Sequence, residues 1–475
     1  MKLAKIILLA VGALGVLFIV GVLLLLQKVD TGAVKSRIET TASSILGMEV
    51  RVGGRLDFGF FPGLFVSLEN VQLRNRDSEL AVAEKIRIGL NPLPLLKKEV
   101  RISRVVVEKA RITVEQGLDG SFNFQPPEQQ RQDLAAWTAP RISLREGDLV
   151  YLDRRSGTEF SAEGCRLEVR QLQLAPETSP DFMQNLALRA DLACQEIRHD
   201  DFRGSNLALS ADGRQGSYEF APVTIRLFGA EGKGRILARF SGAEPEYAVD
   251  FSLPRFRIEE FIQTLTPQEV ARGSMDFSAQ LTMRGSEVEE LRRTAAGRLA
   301  LRGENLTFIG TDLDRMIGRF EATQTFNLVD VGAFLFVGPV GLAATKGVQF
   351  ATIFQGSGGA SEVRTLVSDW ELEAGQARAR DVALATGENR LALQGKLDLV
   401  NERFDNLTIA LLDDRGCAVV KQQIHGPFQA PVVEQPSIIA SLTGPVRRLL
   451  QRGARLFPGG ECEVFYTGSV APPAP

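Results

Sequence analysis

Four cysteines and two histidines are this chain's main store of reactive side chains. In an oxidising space Cys417 and Cys462 are candidates to pair, closing a sizeable loop worth about 2–4 kcal/mol. Cys165 and Cys194 are a second candidate pair. Free buried cysteines are the competing reading of each pair. None of the spacings is that of a zinc site. His199 stands in RHDDFRG beside Asp200 and Asp201, a sequence that suits a metal corner but fits a turn better. His425 stands just before Gly426-Pro427, again a turn. Asp413-Asp414 reads as a solvated turn, and GSGG at Gly356–Gly359 lacks the lysine of a phosphate loop. No zinc-protease helix motif, phosphate loop or nucleophile elbow occurs. NLT at Asn305 and Asn406 fits a glycan acceptor, which matters only in a eukaryotic secretory host. The expectation is no catalytic residue, no metal and no cofactor.

The elements that carry these residues begin with an apolar run. Lys2 and Lys5 precede Ile6–Leu26, IILLAVGALGVLFIVGVLLLL, and Lys28 and Asp30 follow it. A helix of this run has enough rise to cross a hydrocarbon core of about 30 Å. A cleaved signal peptide is the competing reading, but the run ends in LLLLQKVD without a small-residue cleavage site. The expectation is an uncleaved single-pass anchor with a cytoplasmic N-terminus, since the leading segment carries two lysines and no acid. The stretch Val331–Ala344 is too short and too glycine-rich for a second span. Thr31–Leu46 then shows helical spacing at Val34, Ile38, Ala42 and Ile45. It reads as a packing helix or as one lying at the membrane surface.

After Gly47 the period becomes two. Val66 and Leu68, Ile86, Ile88 and Leu90, and Ile112 and Val114 alternate with polar residues. Later sets include Val223, Ile225 and Leu227; Tyr247, Val249 and Phe251; Met275, Phe277, Ala279 and Leu281; and Leu407, Ile409 and Leu411. Turn residues separate them, among them Gly53-Gly54, Asp119-Gly120 and Asp212-Gly213. Short helices are expected at Glu259–Leu265, Glu287–Arg293, Thr311–Phe320 and Val446–Ala454. The chain is therefore mostly β. With 55 basic and 58 acidic residues its net charge is -3, which argues against a nucleic-acid partner.

Strands apolar on one side must bury that side. A closed sandwich or barrel does so internally, whereas an open curved sheet leaves an apolar groove suited to acyl chains. Period two fits both. Val66, Leu68, Ile86, Ile88, Leu90, Ile112 and Val114 are the candidate groove lining, and each is equally readable as core. The organisation expected is an anchor at 1–30, a juxtamembrane helix and N-terminal β groove unit at 31–124, and a linker at 125–138 around QPPEQQRQD. A middle β region at 139–300, a C-terminal β region at 301–468 and a flexible tail at 469–475 follow.

The order of these signals resembles the AsmA family of bacterial envelope proteins. The resemblance runs through GMEVRVGGRLDFGFFPGLFVSLENVQLRN, Gly47–Asn75, with its Phe61-Pro62 pair. It continues in Ile86–Phe124 with Leu93–Leu96, and in RISLREGDLVYLDRRSG, Arg141–Gly157, with Gly147, Tyr151 and Asp153. In the C-terminal half it rests on Thr307–Ala333, Leu391–Asp405 and Arg415–Val433, with Cys417, Gly426 and Pro431, and on Cys462 near the end. Thr158–Ala300 departs from the pattern and shows only generic strands. The resemblance implies an inner-membrane protein projecting into the periplasm of a diderm bacterium. It implies a role in outer-membrane assembly and lipid homeostasis, and kinship with bridge-like lipid transfer proteins whose curved β sheet forms a hydrophobic groove; the fold expected on that ground is one elongated, curved antiparallel β sheet. Phospholipids, the inner membrane and other envelope proteins are the expected partners. A scaffold or quality-control factor that carries no lipid is the alternative.

Overall fold

The computed structural model describes residues 31–61, 63–75, 78–95, 97, 99, 101–119, 121–123, 137–138, 141–174, 182–200, 202–264, 269–310, 312–317, 358–438 and 464–473. These residues are mostly β, with few short helices. The expected anchor and Val331–Ala344 lie outside them, as do the linker residues 125–136 and the helix expected at Val446–Ala454. Among the described residues no helix is long and apolar enough to cross a membrane. The chain forms two compact units, Met1–Thr178 with Ala187–Asp200, and Ser179–Leu186 with Asp201–Pro475.

The first unit opens with helix α1, Thr31–Leu46. Strands β1 (Glu49–Val52) and β2 (Leu56–Gly59) both pair antiparallel with β3 (Phe65–Asn75). The chain then meanders through β4 (Ser78–Leu90) and β5 (Ile102–Gln116), separated by the single turn α2 (Pro92–Leu95). Strand β6 (Trp137–Thr138) is short, and β7 (Arg141–Asp153), β8 (Glu159–Leu174) and β9 (Leu186–His199) follow. One pairing departs from the all-antiparallel expectation: β5 and β7 run parallel, from Arg104 opposite Arg141 to Gln116 opposite Asp153. Parallel neighbours need a connection of about a dozen or more residues to return the chain to its starting end. Residues 117–140 supply that length. The Cys165–Cys194 disulfide ties β8 to β9, and Cys165 is fully buried.

The second unit contains the turn α3 (Phe182–Asn185) and a meander of β10 (Phe202–Arg214), β11 (Ser217–Leu227), β12 (Ala230–Arg239) and β13 (Glu246–Arg257). Helix α4 (Ile258–Ile262) and β14 (Ala271–Arg272) lead into β15 (Ser274–Arg284), helix α5 (Val288–Thr294) and β16 (Ala296–Ile309). Then come β17 (Ala360–Glu373), β18 (Gln376–Thr386), β19 (Arg390–Asp398), β20 (Arg403–Leu412) and β21 (Ala418–Pro427), with β22 (Val432–Val433) and β23 (Ser437–Ile438) on β21. Every described pairing from β10 to β23 is antiparallel. The expected boundary at 300/301 falls inside β16.

The short helices follow local chemistry. Glu287 and Glu290 form a reciprocal capping box at the start of α5, and Arg292 and Arg293 fill its last turn, where the helix dipole favours cations. In α4 it is packing that decides, because Ile258, Phe261 and Ile262 are buried. Of the helix expected at Thr311–Phe320, residues 313–317 are helical. Asn305 and Asn406 have φ of 51° and 50°, where the chain leaves regular strand geometry. Asparagine tolerates that left-handed backbone better than most residues, which gives both positions a structural explanation.

Burial in the second unit grows towards the C-terminal strands. Val363, Leu366, Trp370, Leu384, Leu391, Leu407 and Ile409 form one core with α4 and the helical turn at 313–317. The opposite face of β17–β20 is also covered. There Val367, Ala383, Ala385, Ala392 and Ala410 pack against Phe465, Tyr466 and Val470 of the C-terminal segment. That segment includes residues expected to be a flexible tail. Ser469 donates from N and Oγ to Asp381 Oδ2 at 3.0 and 2.6 Å, and Val470 is buried.

Candidate functional site

Register turns the sequence alternation of the first unit into apolar rows across the strands. Val66, Ile88, Val105, Ile142 and Val169 are successive cross-strand partners. Leu68, Ile86, Val107, Leu144 and Leu167 form the next row. Leu73, Ala81, Ile112, Leu149 and Ala162 make a third, and Val114, Tyr151 and Phe160 a fourth. Because strand side chains alternate, the residues between these rows point to the other face. That face is polar: Arg87 pairs with Glu108 at 3.5 Å, and Ser143 Oγ donates to Glu168 Oε2 at 2.8 Å.

The seven candidates therefore share one face but not one environment. Val66 and Leu68 are buried, at 8% and 3% exposure. They form a cluster with Val50, Val52 and Leu56, against which Val34, Ile38 and Ala42 of α1 pack, together with Ile86, Ile88 and Leu90. Ile86, Ile88, Leu90, Ile112 and Val114 are only half-buried. Helix α1 thus covers one part of the face and leaves another accessible.

Polar side chains hold α1 in place. Glu39 Oε1 accepts from the backbone N of Val52 at 2.7 Å, and Ser43 Oγ accepts from the backbone N of Val50 at 2.9 Å. These contacts satisfy two backbone donors on β1, whose unpaired groups are costly when buried. The 3.6-residue period showed the apolar side of α1 but gave no sign of these two contacts.

A similar face exists in the second unit. Ile236, Val249, Leu281, Gly297 and Leu372 are successive partners, and so are Phe251, Ala279, Leu299 and Trp370. Ile236, Val249, Phe251, Leu281 and Leu299 are half-buried, whereas Leu372 and Trp370 are buried. The alternation here was legible in sequence, but period two does not separate an open apolar face from a core. Helix α4 and residues 313–317 make the difference, because Ile258, Phe261, Ile262, Leu313 and Ile317 belong to the core built on that face.

The reactive residues do not assemble. His199 is exposed at the end of β9, with Nδ1 3.2 Å from the Glu159 carbonyl and Nε2 3.8 Å from Asp200. His425 lies within β21 rather than in a turn, 3.5 Å from Glu434. Asp413 Oδ1 accepts from the backbone N of Arg415 and Cys417 at 2.9 and 2.8 Å, which makes it a turn residue. Gly358 and Gly359 belong to a loop bonded to Gly310. Cys417 is disulfide-bonded, and Cys462 lies outside the described residues. Among the described residues no group of His, Cys, Asp or Glu could hold a metal ion.

The model of the AsmA family matches residues 1–173. That span contains the Phe61-Pro62, Leu93–Leu96 and Arg141–Gly157 segments, while the C-terminal segments lie beyond it. No curated protein matches the chain.

Proposed function

We infer, from an AsmA-family assignment carried by residues 1–173, that this chain is an envelope-biogenesis protein that binds phospholipid along the apolar faces of its β sheets. Family membership supports the coarse part, a role in envelope biogenesis linked to lipid. The half-buried residues Ile86, Ile88, Ile112 and Val114, one from each of the four rows, carry the finer part. They offer acyl chains a surface on which each buried methylene is worth about 0.8 kcal/mol. Such binding needs no reacting side chain, so the proposed activity is carriage or transfer, not catalysis. Headgroups would stay toward solvent.

In this reading Ile6–Leu26 anchors the chain in the inner membrane, the N-terminus is cytoplasmic and the bulk is periplasmic. The Cys165–Cys194 disulfide supports an oxidising compartment. Other envelope proteins are the proposed partners for carrying lipid onward. The test is mass spectrometry of lipids retained by the purified full chain, beside its Ile88→Asp and Val114→Asp variants. Retention by the parent and loss from folded variants is the expected result. Equal retention by all three removes this face from the lipid site. Retained protein partners without lipid would favour a scaffold.

A further inference from the structure

Exposed large apolar side chains are not scattered evenly. Among the described residues they are Phe60, Phe61, Leu93, Ile102, Leu118, Val288, Val432 and Val464. The first four gather at one end of the first unit's strands. Phe60 and Phe61 follow β2, Leu93 lies in α2 and Ile102 begins β5. The two connections are neighbours, since the backbone N of Leu90 donates to the Leu64 carbonyl at 2.8 Å. Phe61 is 90% exposed and Leu93 76% exposed, so neither contributes to a core. Lys97, exposed in the second connection, adds a cation at the same strand end, where Glu99 is paired with Arg101 at 3.0 Å. These are the Phe61-Pro62 and Leu93–Leu96 motifs, which the apolar sheet face leaves unexplained.

Helix α1 relates this end to the apolar run. Ser43 bonds Val50 and Glu39 bonds Val52, so α1 runs antiparallel to β1. Strand β1 runs along β3 in the direction that β2 continues, from Glu49 opposite Arg74 to Gly59 opposite Phe65. The start of α1 at Thr31 is therefore directed toward the strand end that carries Phe60 and Phe61. In the sequence, Thr31 lies five residues after Leu26, the last residue of the apolar run.

We propose that the exposed side chains Phe60 and Phe61 after β2, and Leu93 and Lys97 between β4 and β5, form a bilayer-docking edge, with Phe60, Phe61 and Leu93 entering the headgroup–acyl boundary and Lys97 facing anionic headgroups. Aromatic and leucine side chains beside lysine suit that boundary, where apolar burial and attraction to anionic lipid add. An apolar cluster this exposed otherwise marks an interaction surface. Docking would hold the strand ends against the leaflet, and it does not depend on whether the sheet carries lipid.

The test places a fluorophore at each loop of the full chain, reconstituted in vesicles of brominated phosphatidylcholine and phosphatidylglycerol. Phe61→Trp and Leu93→Trp are compared with Leu118→Trp, an equally exposed apolar site at the opposite strand end, over the signal of Trp137 and Trp370. Docking predicts blue-shifted, bromine-quenched emission for the first two and solvent-like emission for the third. Repeating the series with Ile88→Asp bars lipid from the sheet face, so quenching by cargo is told apart from quenching by the bilayer. Solvent-like emission at 61 and 93, equal to that at 118, overturns the proposal. So does quenching that vanishes with Ile88→Asp.

Discussion

The Tyr466 hydroxyl donates to Asp381 Oδ1 at 2.5 Å, joining positions 85 residues apart. Asp381 Oδ2 also accepts from Ser469, and the Tyr466 hydroxyl accepts from the backbone N of Val470 at 3.0 Å. Buried Arg390 completes the cluster, donating from Nη1 to the Val470 carbonyl at 3.1 Å and from Nη2 to the Asp413 carbonyl at 2.8 Å. The C-terminal segment is thereby locked on the face of β17–β20 opposite the core shared with α4.

Asp381→Ala should loosen that lock. It leaves the buried Tyr466 hydroxyl without its acceptor, which costs about 1–3 kcal/mol, while the exposed Ser469 donors turn to water. The expected outcome is a lower urea midpoint and loss of hydrogen-exchange protection at Val470. Unchanged protection would show that apolar contacts alone hold the segment.

Tyr466 also gives a pH dependence. Burial, and then its hydrogen bond to Asp381, push its phenol above the ordinary value of 10.0. The folded state holds that proton more tightly than the unfolded state. The contribution is therefore complete below about pH 10 and is lost as pH rises further. Tyr466→Phe should flatten the fall in stability above that pH, read from urea midpoints across the alkaline range.

Leu68 and Val114 should respond differently, although both were candidates for the same surface. Leu68 is 3% exposed in the cluster against which α1 packs, so Leu68→Ala should cost about 2–5 kcal/mol. Val114 is half-buried in its row, and Val114→Asp should keep the fold while reducing bound phospholipid. Thermal unfolding read beside lipid retention separates the two effects. A strongly destabilised Val114→Asp would place that residue in the core.

Replacing Cys165 and Cys194 together by alanine should destabilise the first unit. The bridge spans a sequence separation of 29, and a loop of that size predicts about 3.6 kcal/mol. Hydrogen exchange at β8 and β9 with and without reductant checks this, since the double variant should lose the response to reductant there while the bridge at Cys417 in the second unit stays reducible.

Glu39→Ala with Ser43→Ala should free α1 from β1. Each change removes one acceptor from a backbone donor, typically about 1 kcal/mol. Exchange at the Val50 and Val52 amides should accelerate while β4 stays protected. If the two amides keep their protection, the apolar contacts of Val34, Ile38 and Ala42 suffice.

The sequence by itself determined the strand content, the helix at Thr31–Leu46 and the face on which Val66, Ile86, Ile88 and Ile112 lie. Those features depend on periods of two and 3.6, which neighbouring residues define without the rest of the chain. Tertiary structure alone decided which of them are covered. Burial of Leu68 depends on α1, and burial of Trp370 depends on a core shared with α4 and residues 313–317. Only the fold could bring the connections that carry Phe61 and Leu93 to one strand end or dock Val470 on the second face of β17–β20. The parallel β5–β7 pair belongs there too, since alternation is the same for either strand direction. Alternation records which side of a strand is apolar, and only the elements packed on that side determine whether it becomes core or stays open.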